Sequence, residues 1–445
     1  MQPRLLSWLG IALTLLVAPA WAKSSTGDKV LIVTDAKLEM SDYSQFWDGL
    51  RSRGYELTFR KTSEDEPATS AFDVPSFSHI ILLAPSAKTY PQDLSPQSLV
   101  HLLSDRTQPT NILFVLQPST PSVPLRDLAR EFGISFPPPA TPLIDYFSAV
   151  SPANATSLLL SPPLSQHTAG FESGKILYHG ISHLRSSNPL LVNFLNAPPT
   201  SYAADPLEPA DAVVEAAASG GEGLWAGGRM GLVTGFEVLL GGGRAMWVGS
   251  LDLFADAATS IDGEATANNA YALALAAWTF QETSVLRIDA VEHRRISESA
   301  PREQYRIKDE IIYRIHVSKF DPTTGEWVPT SEIEDMQLEF TMLDPHIRTA
   351  LKPASEEGWY EAQFMAPDRH GVFKFIVDWR RKGYTALHSS TTVSVVPFRH
   401  NEYPRFLSSA WPYYLGALST SAAFVLFCAL WLLGGDEEAK KKKTQ

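Results

Sequence analysis

From Tyr413 to Leu433 the chain runs 21 residues without a charged side chain. Wound as an α-helix, that run is about 32 Å long, which matches a hydrocarbon core of roughly 30 Å. A buried core helix would keep some polar face, and Ala422–Leu433 has none, so a membrane span explains the segment better. Trp411, Tyr413, Tyr414 and Trp431 fall near its ends, where amphipathic rings favour the membrane interface. Asp436, Glu437 and Glu438 follow, then Lys440–Lys443. A lysine cluster just past a span is expected on the cytosolic side. At the other end, Arg4, the apolar run Leu5–Val17 and Ala20-Trp21-Ala22 have the order of a secretory signal peptide, and the run is too short to cross a bilayer. The expected layout is therefore type I: a signal peptide over 1–22, a mature chain from Lys23, a large lumenal part, a span over 412–433 and a cytosolic tail over 434–445.

The single cysteine, Cys428, lies inside the expected span. This removes internal disulfides, multi-cysteine metal sites and a lumenal thiol nucleophile from consideration. Formal charge is −12, with 37 basic and 49 acidic side chains, which argues against a nucleic-acid partner. Residues 23–411 hold 32 of the basic and 46 of the acidic groups, so the lumenal part is the more acidic, near −14. A lumenal part with no disulfide must rest on cores large enough to stand alone.

Lys29–Asp35, Tyr55–Lys61, His79–Ala84 and Asn111–Leu116 read as strands, most of them apolar enough to be buried on both faces. Helical patterns fill the intervals at Asp42–Arg53, with Ser41 as cap and Gly54 as stop, at Gln97–Ser104, and at Leu125–Phe132 before Gly133. Alternating strands and helices predict a doubly wound α/β domain of Rossmann or flavodoxin type over 23–150. A mixed α+β region is expected over 151–284. It has strands at Lys175–Tyr178, Leu232–Leu240 and Ala245–Leu253, a helix at Thr266–Gln281, and glycine clusters that fit turns and a hairpin better than phosphate loops. From 285 to 399 the period changes to two, with strands at Tyr305–Ser318, Met336–Met342, Trp359–Phe364, Val372–Trp379 and Thr391–Val396. Turn residues such as Pro322–Gly325 separate them, which predicts a β-sandwich. Residues 400–411 lead from it into the span.

Catalytic motifs are sparse. The chain has no G-x-S-x-G, H-E-x-x-H or D-x-D. His179 and His183 are spaced to share a zinc ion on a helix, but Gly180 and the flanking β-branched residues favour strand or loop. Asp252 and Asp256 lie near a strand end, where α/β proteins bind ligands, although loop or helix-capping carboxylates account for them more simply. Trp225, Trp247 and Trp278 could stack on sugars, or could simply pack a core. No catalytic, cofactor-binding or metal residue is assigned. Asn154-Ala155-Thr156 is the one acceptor sequence for N-glycosylation with a permitted middle residue, in a Pro- and Ser-rich loop. Lys442 and Lys443, third and fourth from the end, look like the dilysine retrieval address of endoplasmic reticulum membrane proteins, with an ordinary stop-transfer cluster as the plainer alternative.

Several long segments are distinctive: Gly235–Leu239 (GFEVL), Gln304–Glu310 (QYRIKDE), Met342–Arg348 (MLDPHIR), His370–Phe375 (HGVFKF), Glu402–Phe406 (EYPRF) and Ala410–Tyr414 (AWPYY). Together they resemble the non-catalytic 48 kDa, Wbp-type subunit family of eukaryotic oligosaccharyltransferase, with the likeness running from signal peptide to dilysine tail. The resemblance implies a lumenal structural or regulatory subunit without cofactor in the complex that moves a preassembled glycan from dolichyl diphosphate to Asn in Asn-X-Ser/Thr. Its implied partners are a ribophorin II-type subunit, a small defender-against-death-type subunit, a many-spanning catalytic subunit and membrane lipid. It also implies an N-terminal domain similar to an intraflagellar-transport domain. The competing readings are a lumenal enzyme, or a glycan-binding receptor, built on the α/β domain.

Overall fold

The structure is a computed structural model that describes residues 24–441 apart from 73, 84–89, 118–121, 139, 152, 208, 220–224, 240–241, 262 and 404. The expected signal peptide, and Lys442 and Lys443, lie outside the described residues.

The first half is organised by strands that are apolar on both faces. β1 (Lys29–Thr34), β2 (Glu56–Lys61), β3 (His79–Leu83) and β4 (Asn111–Val115) alternate with α1 (Ser44–Ser52), α2 (Pro96–Ser104) and α3 (Val123–Phe132). Alternate residues of β1 face opposite cores: Val30 and Ile32 join Phe46, Trp47 and Leu50 of α1, while Leu31 and Val33 join Leu99 and Leu103 of α2 and Leu128 of α3. The chain continues through β5 (Ile134–Ser135), β6 (Asn154–Leu160), β7 (Ile176–Tyr178), β8 (His183–Arg185), β9 (Leu191–Asn196), β10 (Met230–Glu237) and β11 (Arg244–Val248) to helix α4 (Asn268–Thr279). α4 packs beside α1 with Tyr271, Leu275 and Trp278 buried.

One nine-stranded sheet has the order β2-β1-β3-β4-β11-β10-β8-β5, with β9 also paired to β10. From β2 to β11 neighbouring strands run parallel; β11–β10, β10–β8, β10–β9 and β8–β5 are antiparallel. Strands from both sides of residue 150 therefore share a sheet, because β11 inserts its fully buried Ala245–Val248 beside β4. Two local expectations change. Asn154 opens strand β6 rather than sitting in a loop, because Leu158–Leu160 pair with Ile176–Tyr178. Helix α1 begins at Ser44 after a 3₁₀ turn over Met40–Tyr43, and Ser41 does not cap it.

The second half is β throughout. Its strands are β12 (Leu286–Arg295), β13 (Gln304–Arg306), β14 (Glu310–Asp321), β15 (Glu326–Pro329), β16 (Gln337–Thr341), β17 (Pro345–Ala350), β18 (Trp359–Met365), β19 (Gly371–Trp379) and β20 (Leu387–Val396). They form two five-stranded sheets. One contains β12-β14-β18, the short strand Lys352–Pro353, and β15 on β14; the other has the order β13-β20-β19-β16-β17. Both sheets feed one apolar core, in which Tyr313 of the first stacks on Phe375 of the second at 5.2 Å between ring centroids. The expected single strand Tyr305–Ser318 is interrupted at Ile307–Asp309. Lys308 takes a φ of 66° there, and the Asp309 carboxylate accepts the Arg306 N–H at 2.6 Å, so the chain steps from one sheet to the other.

The turn after β19 docks on the first half. Trp278 Nε1 donates to Gly383 O at 3.0 Å, Tyr384 Oη donates to Gln166 Oε1 at 2.7 Å, and Thr385 N donates to Ser284 O at 3.2 Å. Helix α5 (Trp411–Lys441) ends the described chain. Its apolar window, Ser408–Gly434, is long enough to cross a membrane and has no protein packed around it.

Candidate functional site

The carboxyl ends of parallel strands are the usual ligand positions in open α/β sheets. Beyond the end of β11 the chain turns through Ser250 into the 3₁₀ segment Asp252–Phe254. His179, just past β7, points its Nδ1 at Asp252 Oδ2, 2.9 Å away, with both side chains partly exposed. Ser250 Oγ, the nearest hydroxyl in sequence, donates to His179 O at 2.8 Å and is therefore already committed. Tyr43 borders the pair. Burial, reinforced by the charges of Asp252 and Asp42, pushes its hydroxyl pKa well above the usual value, which disfavours a phenolate. A histidine–carboxylate dyad can move a proton, but no activated nucleophile accompanies this one among the described residues.

The two histidines of the H-G-I-S-H segment are not brought together. A β-carbon on Gly180 would fall 2.0 Å from the carbonyl oxygen of Gly249, and Ile181 N donates to that same oxygen at 2.9 Å. The segment bends at Gly180 rather than forming a helix, and the two histidines take separate partners, Asp252 for His179 and Thr234 for His183. His183 is buried, bonds Thr234 Oγ1 through Nε2 at 2.7 Å, and has its pKa lowered to about 3, chiefly by burial and secondarily by Arg185. Among the described residues, no group of three or more His, Cys, Asp or Glu side chains is arranged to hold a metal ion.

Asp256 has a clear local task. Its carboxylate accepts the N–H of Ser44 at 2.8 Å and of Gln45 at 3.0 Å, and also the Ser44 hydroxyl at 2.6 Å. It thus caps α1 from more than 200 residues away, satisfying donors that a helix start leaves open. Nothing local to Ser41–Ser44 signals a cap from so distant a residue. Trp247 and Trp278 are wholly buried: Trp247 stacks on Phe114 at 4.1 Å and Trp278 packs on Phe194 at 4.9 Å. Trp225 is partly buried against the core of the α1 face. Cys428 lies on α5. Asn154 is exposed, donates to Ser157 Oγ at 3.1 Å, and accepts the Thr156 hydroxyl at 2.7 Å. The chemistry-bearing residues are mostly consumed by structure. The His179–Asp252 pair is the remaining candidate.

Family comparisons cover most of the chain. The family described as "OST48, N-terminal domain" matches residues 21–282, and the "OST48 middle domain" matches 293–435. Curated relatives align along nearly their whole length. The dolichyl-diphosphooligosaccharide–protein glycosyltransferase 48 kDa subunit of Danio rerio is 33% identical over 95% of both chains. The subunits of the same name from Caenorhabditis elegans and Drosophila melanogaster are 31% and 29% identical, each over 97% of both chains. Among solved structures, a ThuA-like protein of Parabacteroides merdae aligns with a TM-score of 0.30 at 10% identity, over 62% of this chain and 93% of its own. That likeness is too distant to bear on fold or function. The chain belongs to the OST48 family.

Proposed function

We propose that this chain is a non-catalytic structural subunit of the endoplasmic reticulum oligosaccharyltransferase complex, the assembly that transfers a preformed oligosaccharide from dolichyl diphosphate to Asn of Asn-X-Ser/Thr. The observation that carries the reading is the collinear match to both OST48 regions, which extends into the apolar helix. The complex supplies the chemistry through a many-spanning catalytic subunit, and this chain contributes folded lumenal mass anchored by one helix. Ribophorin II-type and defender-against-death-type subunits are its further partners. The lumenal part reads as a doubly wound domain in which 23–150 and 151–284 share a sheet, followed by a β-sandwich over 285–399. The orientation is type I, with Lys442 and Lys443 as a cytosolic retrieval address and Asn154 as a glycan acceptor on the lumenal side. The fates of Asp256, His183, Trp247 and Trp278 support a structural role, since each is occupied in capping or core packing.

The His179–Asp252 dyad favours a lumenal enzyme as the second reading, so it is the place to test. Asp252→Asn and His179→Ala chains are expressed in cells depleted of the native chain, and glycan occupancy of a secreted Asn-X-Thr reporter is measured. Occupancy equal to wild type is expected for both. Lost transfer with the complex still assembled would contradict the non-catalytic assignment.

A further inference from the structure

The two-sheet unit has chemically different ends. The end carrying the turn after β19 holds Arg380, Arg381, Lys382 and Tyr384 and docks on the nine-stranded unit. At the opposite end, strand register collects other segments. Gly371 pairs with Val395, Arg306 with Val396, and Glu310 with Met365. Thr341 pairs with Lys374, which brings the β16–β17 turn to the same end. Several of its exposed side chains are apolar, set among exposed Asp344, Asp368, Arg369 and His370. Leu343, at the tip of the turn, is 91% exposed, and Val372 and Met365 are exposed beside it.

The polypeptide also leaves the unit at this end. Residues after Val396 are held close to it: Arg306 Nη1 pairs with Glu402 Oε1 at 2.5 Å, and Phe398 packs edge-on against Tyr403 at 5.6 Å. Exposed Phe406 and Leu407 come next, then Trp411 at the start of α5. The Tyr414 ring on the first turns of α5 packs against Phe406 at 6.0 Å, and its hydroxyl accepts the Leu407 N–H at 3.3 Å. Arg369, Arg399 and Arg405 lie in the same segments; among the described residues none has its guanidinium in an ion pair, although the Arg399 backbone N–H donates to Glu402 Oε2 at 3.0 Å.

We propose that this end of the two-sheet unit rests on the bilayer, with Leu343, Val372, Met365, Phe406 and Leu407 entering the interfacial region of the leaflet where α5 begins. The occupant is a lipid surface because the same tethered segment continues directly into the membrane-length helix. A helix crossing the membrane from Trp411 onward puts the bilayer surface at this end of the unit. Apolar knobs rimmed by arginines suit that zone, where side chains bury hydrocarbon and guanidinium groups reach phosphate. The unit then acts as a spacer. Its long strands, at about 3.3 Å per residue, hold the nine-stranded unit on the order of 30 Å from the headgroups.

The inference rests on α5 crossing the membrane, so the experiment reports on both. The full chain is reconstituted into phosphatidylcholine–phosphatidylinositol vesicles containing lipid nitroxides. A fluorophore is attached at native Cys428, or at Leu343→Cys or Thr324→Cys in a Cys428→Ala background. Leu343 and Thr324 are exposed turn residues at opposite ends, so neither change disturbs a core. Strong quenching at 428 by acyl-chain nitroxides, and several-fold stronger quenching at 343 than at 324 by headgroup nitroxides, is expected. Quenching at 428 with equal, weak quenching at 343 and 324 overturns the apposition alone. Absence of quenching at 428 overturns the span and the apposition together. Quenching at 343 that disappears when the labelled chain is purified in its native assembly shows a protein covering that end, and also overturns the proposal.

Discussion

Arg244 is a fully buried charge at the seam between the two halves. Nη1 donates to the carbonyls of Trp278 and Thr283 at 3.0 and 2.8 Å, and Nη2 donates to Ser284 O at 2.9 Å and Thr385 Oγ1 at 3.4 Å. The guanidinium lies 4.7 Å from the Trp278 ring centre and 3.5 Å from Glu237 Oε1. Burial opposes charge on both partners, lowering the Arg244 pKa and raising that of Glu237, while each holds the other ionised. Removing the guanidinium strands the Thr283 carbonyl and the Glu237 carboxylate and takes one donor each from the carbonyls of Trp278 and Ser284, a change that costs about 3–5 kcal/mol in buried networks. Arg244→Ala is therefore expected to lower the unfolding midpoint of the purified chain by many degrees. Arg244→Lys should recover only part of the loss, since one ammonium cannot span the same acceptors. An unchanged midpoint for Arg244→Ala, followed by tryptophan fluorescence, would contradict this. Arg244 gave no sign of this role in the sequence, because an arginine opening an apolar strand reads as a solvated end. Asp256 is a similar case: its carboxylate was visible as a candidate cap, but its helix was not identifiable.

At the scale of elements, legibility followed the density of the apolar signal. β1, β3 and β4 are continuous apolar runs buried on both faces, and each was placed to within a residue or so. α3 was equally clear because Gly133, with a φ of 84°, ends it in the left-handed conformation that glycine allows. β8 and β9 were not legible. β8 has three residues and pairs with β10 and β5, while β9 is interrupted by Asn193 and pairs with β10, so neither carries a continuous apolar run. Helix α5 shows the opposite balance, being obvious in sequence but touched, among the described residues, mainly by the linker at Phe406 and Leu407. Ser419 and Thr420 donate to Gly416 O at 2.9 and 2.8 Å, and Ser421 donates to Ala417 O at 2.9 Å. With its hydroxyls satisfied internally, this stretch presents small side chains that permit close helix approach in lipid. Gly416→Leu with Ser419→Leu is expected to leave membrane insertion intact and weaken association with the rest of the complex. Unchanged recovery of partner subunits in a detergent pull-down would refute that.

At the scale of the molecule, three pieces follow one another: a nine-stranded unit, a two-sheet unit and a membrane-length helix. The change from strand–helix alternation to period two marked the transition near residue 285, because buried parallel strands and two-faced antiparallel strands leave different patterns. Sequence could not show that β11 returns to lie beside β4, which unites the segments on either side of residue 150 in one sheet. That pairing is fixed by long-range packing. The central claim is membership of a multi-subunit transferase without a catalytic site of its own. Purification of the tagged full chain in a mild detergent, with size and transferase activity read from the same fractions, tests it most directly. The chain is predicted to migrate far above its 49.0 kDa mass together with many-spanning partners and oligosaccharide transfer activity. A monomer free of partners, or a monomer that transfers glycan by itself, would contradict the claim.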